Sequence, residues 1–249
     1  GTYPIAGGKA KIRLNAFRIA RYPVTIWQYR QFVAAGGYDD RRWWTEEGWT
    51  WLQPDSVRYD WREQGRITKP YRWDDPDWTA DNQPVIGVSW YEAMAFCNWL
   101  NRQVTLPEGW EIGLPGEAEW EVAAMWDADA EVMRAWQPPA NELWQNVEEA
   151  GIGRTCPVGL FPQGASPCGA LDMAGNVWEW CASPNKGYPA QANERPDDFS
   201  PSLIGPALRG GTYWDGNDRS GWDARYSDNP SVQSANWGFR ILIRSRFVH

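Results

Sequence analysis

Few residues in this 249-residue chain are of types that do covalent or metal chemistry. The sole histidine is the last residue, His249. That leaves no base for a Ser–His–acid or Cys–His arrangement and no His-rich metal site. The four cysteines, Cys97, Cys156, Cys168 and Cys181, show no C-x-x-C spacing, so a zinc knuckle is not expected. Cys97 falls on a helical face and reads as a small core residue. Cys156 and Cys168 bracket a Pro/Gly loop, and both a disulfide and a reduced pair fit that spacing. Oxygen donors are more plentiful. The phrase Asp172-Met-Ala-Gly-Asn-Val-Trp-Glu-Trp180 places two carboxylates around a glycine. Asp215, Asp218, Asp223 and Asp228 form a second acidic group, and two close carboxylates could share acid–base work. No nucleophile, histidine or activating cation accompanies them. A solvated recognition surface is therefore the expectation, and no catalytic residue is assigned.

The elements that would position these groups are short. Lys11 to Ile19 partly alternates and reads as a strand with a slip or bulge. Thr25-Ile-Trp-Gln28 is a capping-box pattern followed by helical spacing of Ile26, Tyr29 and Val33, with Gly36-Gly37 as the stop. Ser89-Trp-Tyr-Glu92 is a second capping box, with Trp90, Ala93, Met94, Cys97 and Leu100 at helical spacing. A third helix should run from Glu117 to about Met125 after Pro115-Gly116. Phe239, Ile241 and Ile243 alternate with Arg240, Leu242 and Arg244, which predicts a half-buried last strand pairing with the first. Between these lie two stretches without a period, about 37–83 and 126–206. Seven tryptophans in the first (Trp43, Trp44, Trp49, Trp51, Trp61, Trp73, Trp78) would pin it to the body.

Composition sets the outer limits. Twenty tryptophans imply a core of aromatic plates held by loops. No linker or repeat is visible, so residues 1–249 read as one domain. A net charge of −8 without a basic stripe argues against nucleic acid. No apolar run is long enough to span a bilayer, so a soluble protein, cytoplasmic or phage-associated, and a monomer, is expected. The excess of Arg over Lys is a weak sign of a thermostable protein.

Five phrases carry a resemblance: Pro84 to Ala93, Leu114 to Glu121, Asp172 to Trp180, Leu208-Arg-Gly-Gly-Thr-Tyr213 and Gly238-Phe-Arg240. In this order they resemble the formylglycine-generating-enzyme (sulfatase-modifying-factor) family. The resemblance covers nearly the whole chain, from Phe17 to Arg240. It implies an α+β, loop-rich variant of the C-type lectin fold, with a small twisted antiparallel sheet and two or three helices. One departure is Gly116, where family members often carry Thr. The resemblance also implies a structural calcium site at Asp172, Gly175, Val177 and Glu179, matching the ion's taste for mixed oxygen ligands. The competing reading is that Gly175 makes a tight turn while the two acids satisfy backbone N–H groups. A second family calcium site would need an acid near Gly159, where this chain has none. Oxidase members use a copper-binding cysteine pair after Arg-Gly-Gly. The counterparts here lie near Asp215 and Ser220, so no copper is expected. A second branch makes carbon–sulfur bonds with an iron held by histidines on an attached helical domain, which this sequence does not contain.

A third branch, the variable proteins of diversity-generating retroelements, uses the fold for display and rewrites the segment before Gly-Phe-Arg. Rewritten AAC codons exclude Trp, Met, Lys, Glu and Gln, and between Asp215 and Asn236 only Trp222 and Gln233 fall outside the permitted set. The resulting expectation is a non-enzymatic binding protein with a variable segment at 212–237. Its ligand-binding residues would be Trp214, Asp215, Gly216, Asn217, Arg219, Asp223, Tyr226, Asp228, Asn229, Ser231 and Ser234, facing an unidentified protein or surface ligand. The alternatives are a sulfatase-modifying-factor-type oxidoreductase or a structural domain of a larger phage or signalling protein. Arg209 and Arg240, which flank the segment, are expected to anchor loops through backbone carbonyls.

Overall fold

The computed structural model describes residues 1–54, 65–135, 138, 143–185, 188 and 205–245; Trp61 and His249 lie outside them. The stretch expected as one strand with a slip is two strands in different sheets. Thr2–Ile5 (β1) pairs antiparallel with Ala10–Arg13 (β2) in a separate hairpin. Phe17–Ile19 (β3) instead pairs antiparallel with the last strand, as the expected closure of the termini requires. The broken alternation thus marks a change of sheet.

Both capping boxes form. Thr25 Oγ1 accepts from Gln28 N at 3.3 Å while Gln28 Oε1 accepts from Thr25 N at 2.9 Å, starting Ile26–Ala34 (α1). The helix buries Ile26, Tyr29 and Phe32, so Phe32 rather than Val33 completes its inner face. It stops where Gly36 and Gly37 donate back to Val33 and Phe32. Glu46–Trp51 (α2) lies in the stretch read as loop, capped by Thr45. Six residues are too few to show a period. Trp44 and Trp51 there are buried, and Trp43, Trp49 and Trp73 pack on the same core. Ser89 and Glu92 cap Trp90–Gln103 (α3), and Asn101 on its last turns bonds both the N–H and the C=O of Ile112 in Trp110–Gly113 (β4). Glu117–Met125 (α4) starts at Gly116 without a capping side chain. Ser183 Oγ, from a distant strand, accepts from Glu117 N at 3.0 Å and replaces the missing hydroxyl.

Trp126–Asp127 (β5) and Val132–Met133 (β6) make a small hairpin. The main sheet has four strands. Trp178–Pro184 (β7) pairs antiparallel with Pro206–Gly210 (β8), which pairs antiparallel with Gly221–Ser227 (β9). Trp237–Gly238 (β10) adds to the other side of β7 in parallel. The last strand, Leu242–Ser245 (β11), lies between β3 and β4 in a separate three-stranded sheet. Its buried side is led by Leu242, with Ile243 only partly buried, the reverse of the expected face. The result is α+β with short elements, as expected. Among the described residues, no helix is long and apolar enough to cross a membrane.

Two buried acids couple these elements to pH. Glu92 accepts from Ser89 N, Tyr38 Oη and both contacts of Gln233 Nε2, and burial pushes its carboxyl up to about 7. Burial likewise pushes Asp172 up to about 6, against the pull of its bond from Gly159 N. A carboxyl whose folded pKa lies above its unfolded value binds more protons when folded in the interval between the two. Its stabilisation is therefore complete below that interval and is lost as pH rises through it. The melting temperature should fall between roughly pH 4 and pH 7, and Glu92→Gln should flatten that slope. Equal slopes for wild type and variant in thermal melts across this range would contradict the assignment.

Candidate functional site

The segment after β8 is launched by two glycines. Gly210 and Gly211 have φ of +100° and +81°, and a Cβ on Gly211 would lie 2.3 Å from Ser220 Oγ. Only glycine allows that turn and that approach. Thr212 then knots the loop. Its Oγ1 accepts from Trp214 N at 2.9 Å, its N donates to Asp215 Oδ2 at 3.1 Å, and its carbonyl accepts from Asp215 N. Tyr213 is buried against Trp78, with ring centroids 5.6 Å apart. Trp214 is thrust outward with 69% of its surface exposed.

The far side of the loop is held by residues 145–150. Glu148 N donates to Asp215 O, Asn217 N donates to the Glu149 carboxylate, and Gln145 Nε2 donates to Asn217 Oδ1 at 2.7 Å. A Cβ on Gly216 would lie 2.9 Å from Asp218 Oδ1, 3.5 Å from Glu149 Oε1 and 4.0 Å from Glu148 Oε2. Three carboxylates therefore surround Gly216, two residues after Trp214. Glu148 and Glu149 carry no signal in the sequence, because the register that brings them here is tertiary.

The eleven expected binding residues split into three groups. Trp214, Asp215, Gly216, Asn217 and Arg219 share this loop. Asp223 and Tyr226 face outward from β9, where Trp222 faces inward. Asp228, Asn229, Ser231 and Ser234 belong to a return loop clamped on the start of α3, through Trp90 N to Pro230 O and Gly87 N to Ser234 O. Not all of the eleven are open to solvent. Gly216 is buried, and a Cβ there would meet Asp218. Asp228 accepts from Asn229 N, Asn229 accepts from Ser231, and Ser234 bonds Asn236, so these side chains build turns. Trp222 and Gln233, the two residues outside the rewritable set, are each 5% exposed.

Of the four expected calcium ligands, both acids are already engaged by hydrogen-bond donors. Glu179 Oε1 accepts from Arg240 Nη2 at 2.6 Å, and Oε2 accepts from Trp120 Nε1 at 2.7 Å and Arg240 Nε at 2.6 Å. Its oxygens are committed to buried donors. Asp172 Oδ2 accepts from Gly159 N at 2.7 Å, and Gly175 O accepts from Val177 N at 2.9 Å. Asp172 thus serves a backbone N–H, and Glu179 serves an indole and a guanidinium. Arg240 also donates to the carbonyls of Ala20, Leu171 and Asp172. Arg209 pairs with Glu121 at 2.8 Å, stacks over Trp120 and reaches the Trp222 carbonyl. Both arginines are structural anchors. Cys97, Cys156, Cys168 and Cys181 are unpaired thiols, and burial pushes Cys97 and Cys156 up to about 12.

The short sheets, the capped helices and the double-glycine loop define an α+β fold of the formylglycine-generating-enzyme, C-type-lectin-like type. The chain belongs to the family of the sulfatase-modifying factor enzyme 1-like domain, whose profile matches residues 6–245. It is 36% identical over 219 residues to a hercynine oxygenase of Mycobacterium tuberculosis, covering 81% of this chain and 46% of that protein. It is 29% identical over 264 residues to the inactive C-alpha-formylglycine-generating enzyme 2 of Mus musculus, covering 94% and 77%. Treponema denticola variable protein 1 superposes with a TM-score of 0.61 at 21% identity, covering 94% of this chain and 86% of that one. The chain spans less than half the length of the hercynine oxygenases it matches. The expectation of a non-enzymatic protein is overturned by these enzyme relatives. It rested on the absence from this sequence of the metal ligands that the family resemblance implies.

Proposed function

We propose that this chain is the formylglycine-generating-enzyme-type domain of an oxygenase-type oxidoreductase similar to hercynine oxygenase, and that it holds the substrate on the Thr212–Ser220 loop. The observation that carries the reading is the 36% identity to the M. tuberculosis enzyme across 81% of this chain. The loop supplies a fitting surface. Trp214 offers an exposed ring face, and Asp218, Glu148 and Glu149 set negative charge around Gly216 on the same loop. Such a pairing suits a cationic part of a substrate. Tyr213, locked against Trp78, and the Thr212 knot fix the ring's direction, which limits the ordering cost of binding.

The iron of the carbon–sulfur-forming branch finds no ligand set in these residues. Among the described ones, no three His, Cys, Asp or Glu side chains are placed to hold a metal. The part of these residues is to bind and orient the substrate. A display role diversified by a retroelement has the codon pattern and the burial of Trp222 and Gln233 in its favour, but neither bears on substrate or reaction.

Calorimetric titration of the folded protein with hercynine tests the binding role. Saturable binding is expected, and Trp214→Ala should weaken it about ten-fold, the scale of a partly desolvated cation–π contact. Absence of binding, or an affinity indifferent to Trp214→Ala, would remove the loop from the substrate site.

A further inference from the structure

A cavity of about 300 Å³ opens between α1, α3 and the Ala20–Thr25 turn, and none of its lining residues belongs to the 212–237 segment. Its walls are apolar: Val24, Phe96, Trp99, Leu100 and Ile241. The amides at its mouth are already engaged, Gln28 in the capping box and Gln31 through Nε2 to Trp27 O. Arg21 is the single charged residue of the lining. Its guanidinium lies 5.5 Å from the Tyr22 ring centroid, and among the described residues no carboxylate pairs with it. Arg21 is exposed, so its guanidinium is free to meet a charged ligand at the edge of the cavity.

We propose that this cavity is a second binding site, for a small monoanion with an apolar body: an aryl- or alkyl-carboxylate. The volume lies at the small end of ligand pockets, which are mainly apolar with a few orienting polar groups. The body would cover Phe96, Trp99 and Leu100, and the carboxylate would take the forked donors of Arg21. One cation matches one negative charge. A dianion would leave a charge unpaired beside apolar walls, at a cost in desolvation.

The test uses the whole chain with 4-phenylbutyrate and its uncharged analogue 4-phenylbutanol, followed by calorimetry and ligand-observed NMR. Phenylbutyrate should bind more tightly than phenylbutanol. Arg21→Met, which keeps the stem, should weaken phenylbutyrate about ten-fold and leave phenylbutanol unchanged, as loss of a charge-assisted bond requires. Leu100→Trp, which fills the cavity, should abolish both; Gln31→Trp at the mouth serves if the first variant melts early. Trp214→Ala should leave phenylbutyrate binding intact, so this site stands or falls separately from the hercynine site. The proposal is overturned if phenylbutyrate does not bind, if the alcohol binds as well as the acid, or if Arg21→Met changes neither.

Discussion

Glu179→Ala is expected to remove about 3–5 kcal/mol of folding stability, the usual effect of stranding one member of a buried ion pair. Glu179 and Arg240 are essentially inaccessible to solvent, with side chains 1% and 0% exposed. Glu179 sits on β7, Arg240 leads into β11, and the Trp120 indole from α4 donates to the same carboxylate. Removing the carboxylate leaves a guanidinium with only carbonyl partners and an indole N–H without an acceptor. Total stability for a domain is about 5–15 kcal/mol, so the variant should lie near the folding threshold. Glu179→Gln keeps the shape but not the charge and should also be strongly destabilised. Urea unfolding reads both. A loss below about 1 kcal/mol for Glu179→Ala would mean that water or a rearranged acid replaces the pair.

Gly175→Ala should cost roughly 2–4 kcal/mol, combining a left-handed backbone with a steric clash. Gly175 has φ +70°, and an added Cβ would lie 2.4 Å from the backbone oxygen of Asn146. That oxygen accepts from Asn176 N at 2.7 Å and cannot retreat without breaking the bond. The N–H of Gly175 also donates to Gly210 O, at the root of the Thr212–Ser220 loop. Stability and hercynine binding should therefore fall together in this variant. A melting temperature within a degree or two of wild type would show that the Asn146 backbone shifts freely.

What the sequence disclosed follows the range of each interaction. Capping boxes at Thr25 and Ser89 are local chemistry, and α1 and α3 start where they say. The end of α4 is equally local. β7 escaped because Trp178, Trp180 and Ala182 are as buried as their neighbours, so no alternation marks it. A six-residue α2 and a two-residue β10 are too short to register. The candidate site was legible in part. The Arg-Gly-Gly phrase and the polar run after it marked this loop and Trp214 as candidates, whereas the inward turn of Trp222 beside the outward Trp214 is visible only in the fold. The Glu179–Arg240 bond joins residues 61 apart, so nothing local set it against the calcium role that the family resemblance implies for Glu179. The Arg21 cavity is assembled from two helices and a turn, and no single stretch announces it.

If this chain holds the substrate of an oxygenase-type enzyme, the Thr212–Ser220 loop must carry it. A crystal structure of the folded protein soaked with hercynine tests this most directly. Hercynine is expected with its cationic group over the exposed Trp214 ring, and lost from that place in Trp214→Ala. Hercynine bound elsewhere on the chain, or not bound at all, would contradict the substrate-holding role.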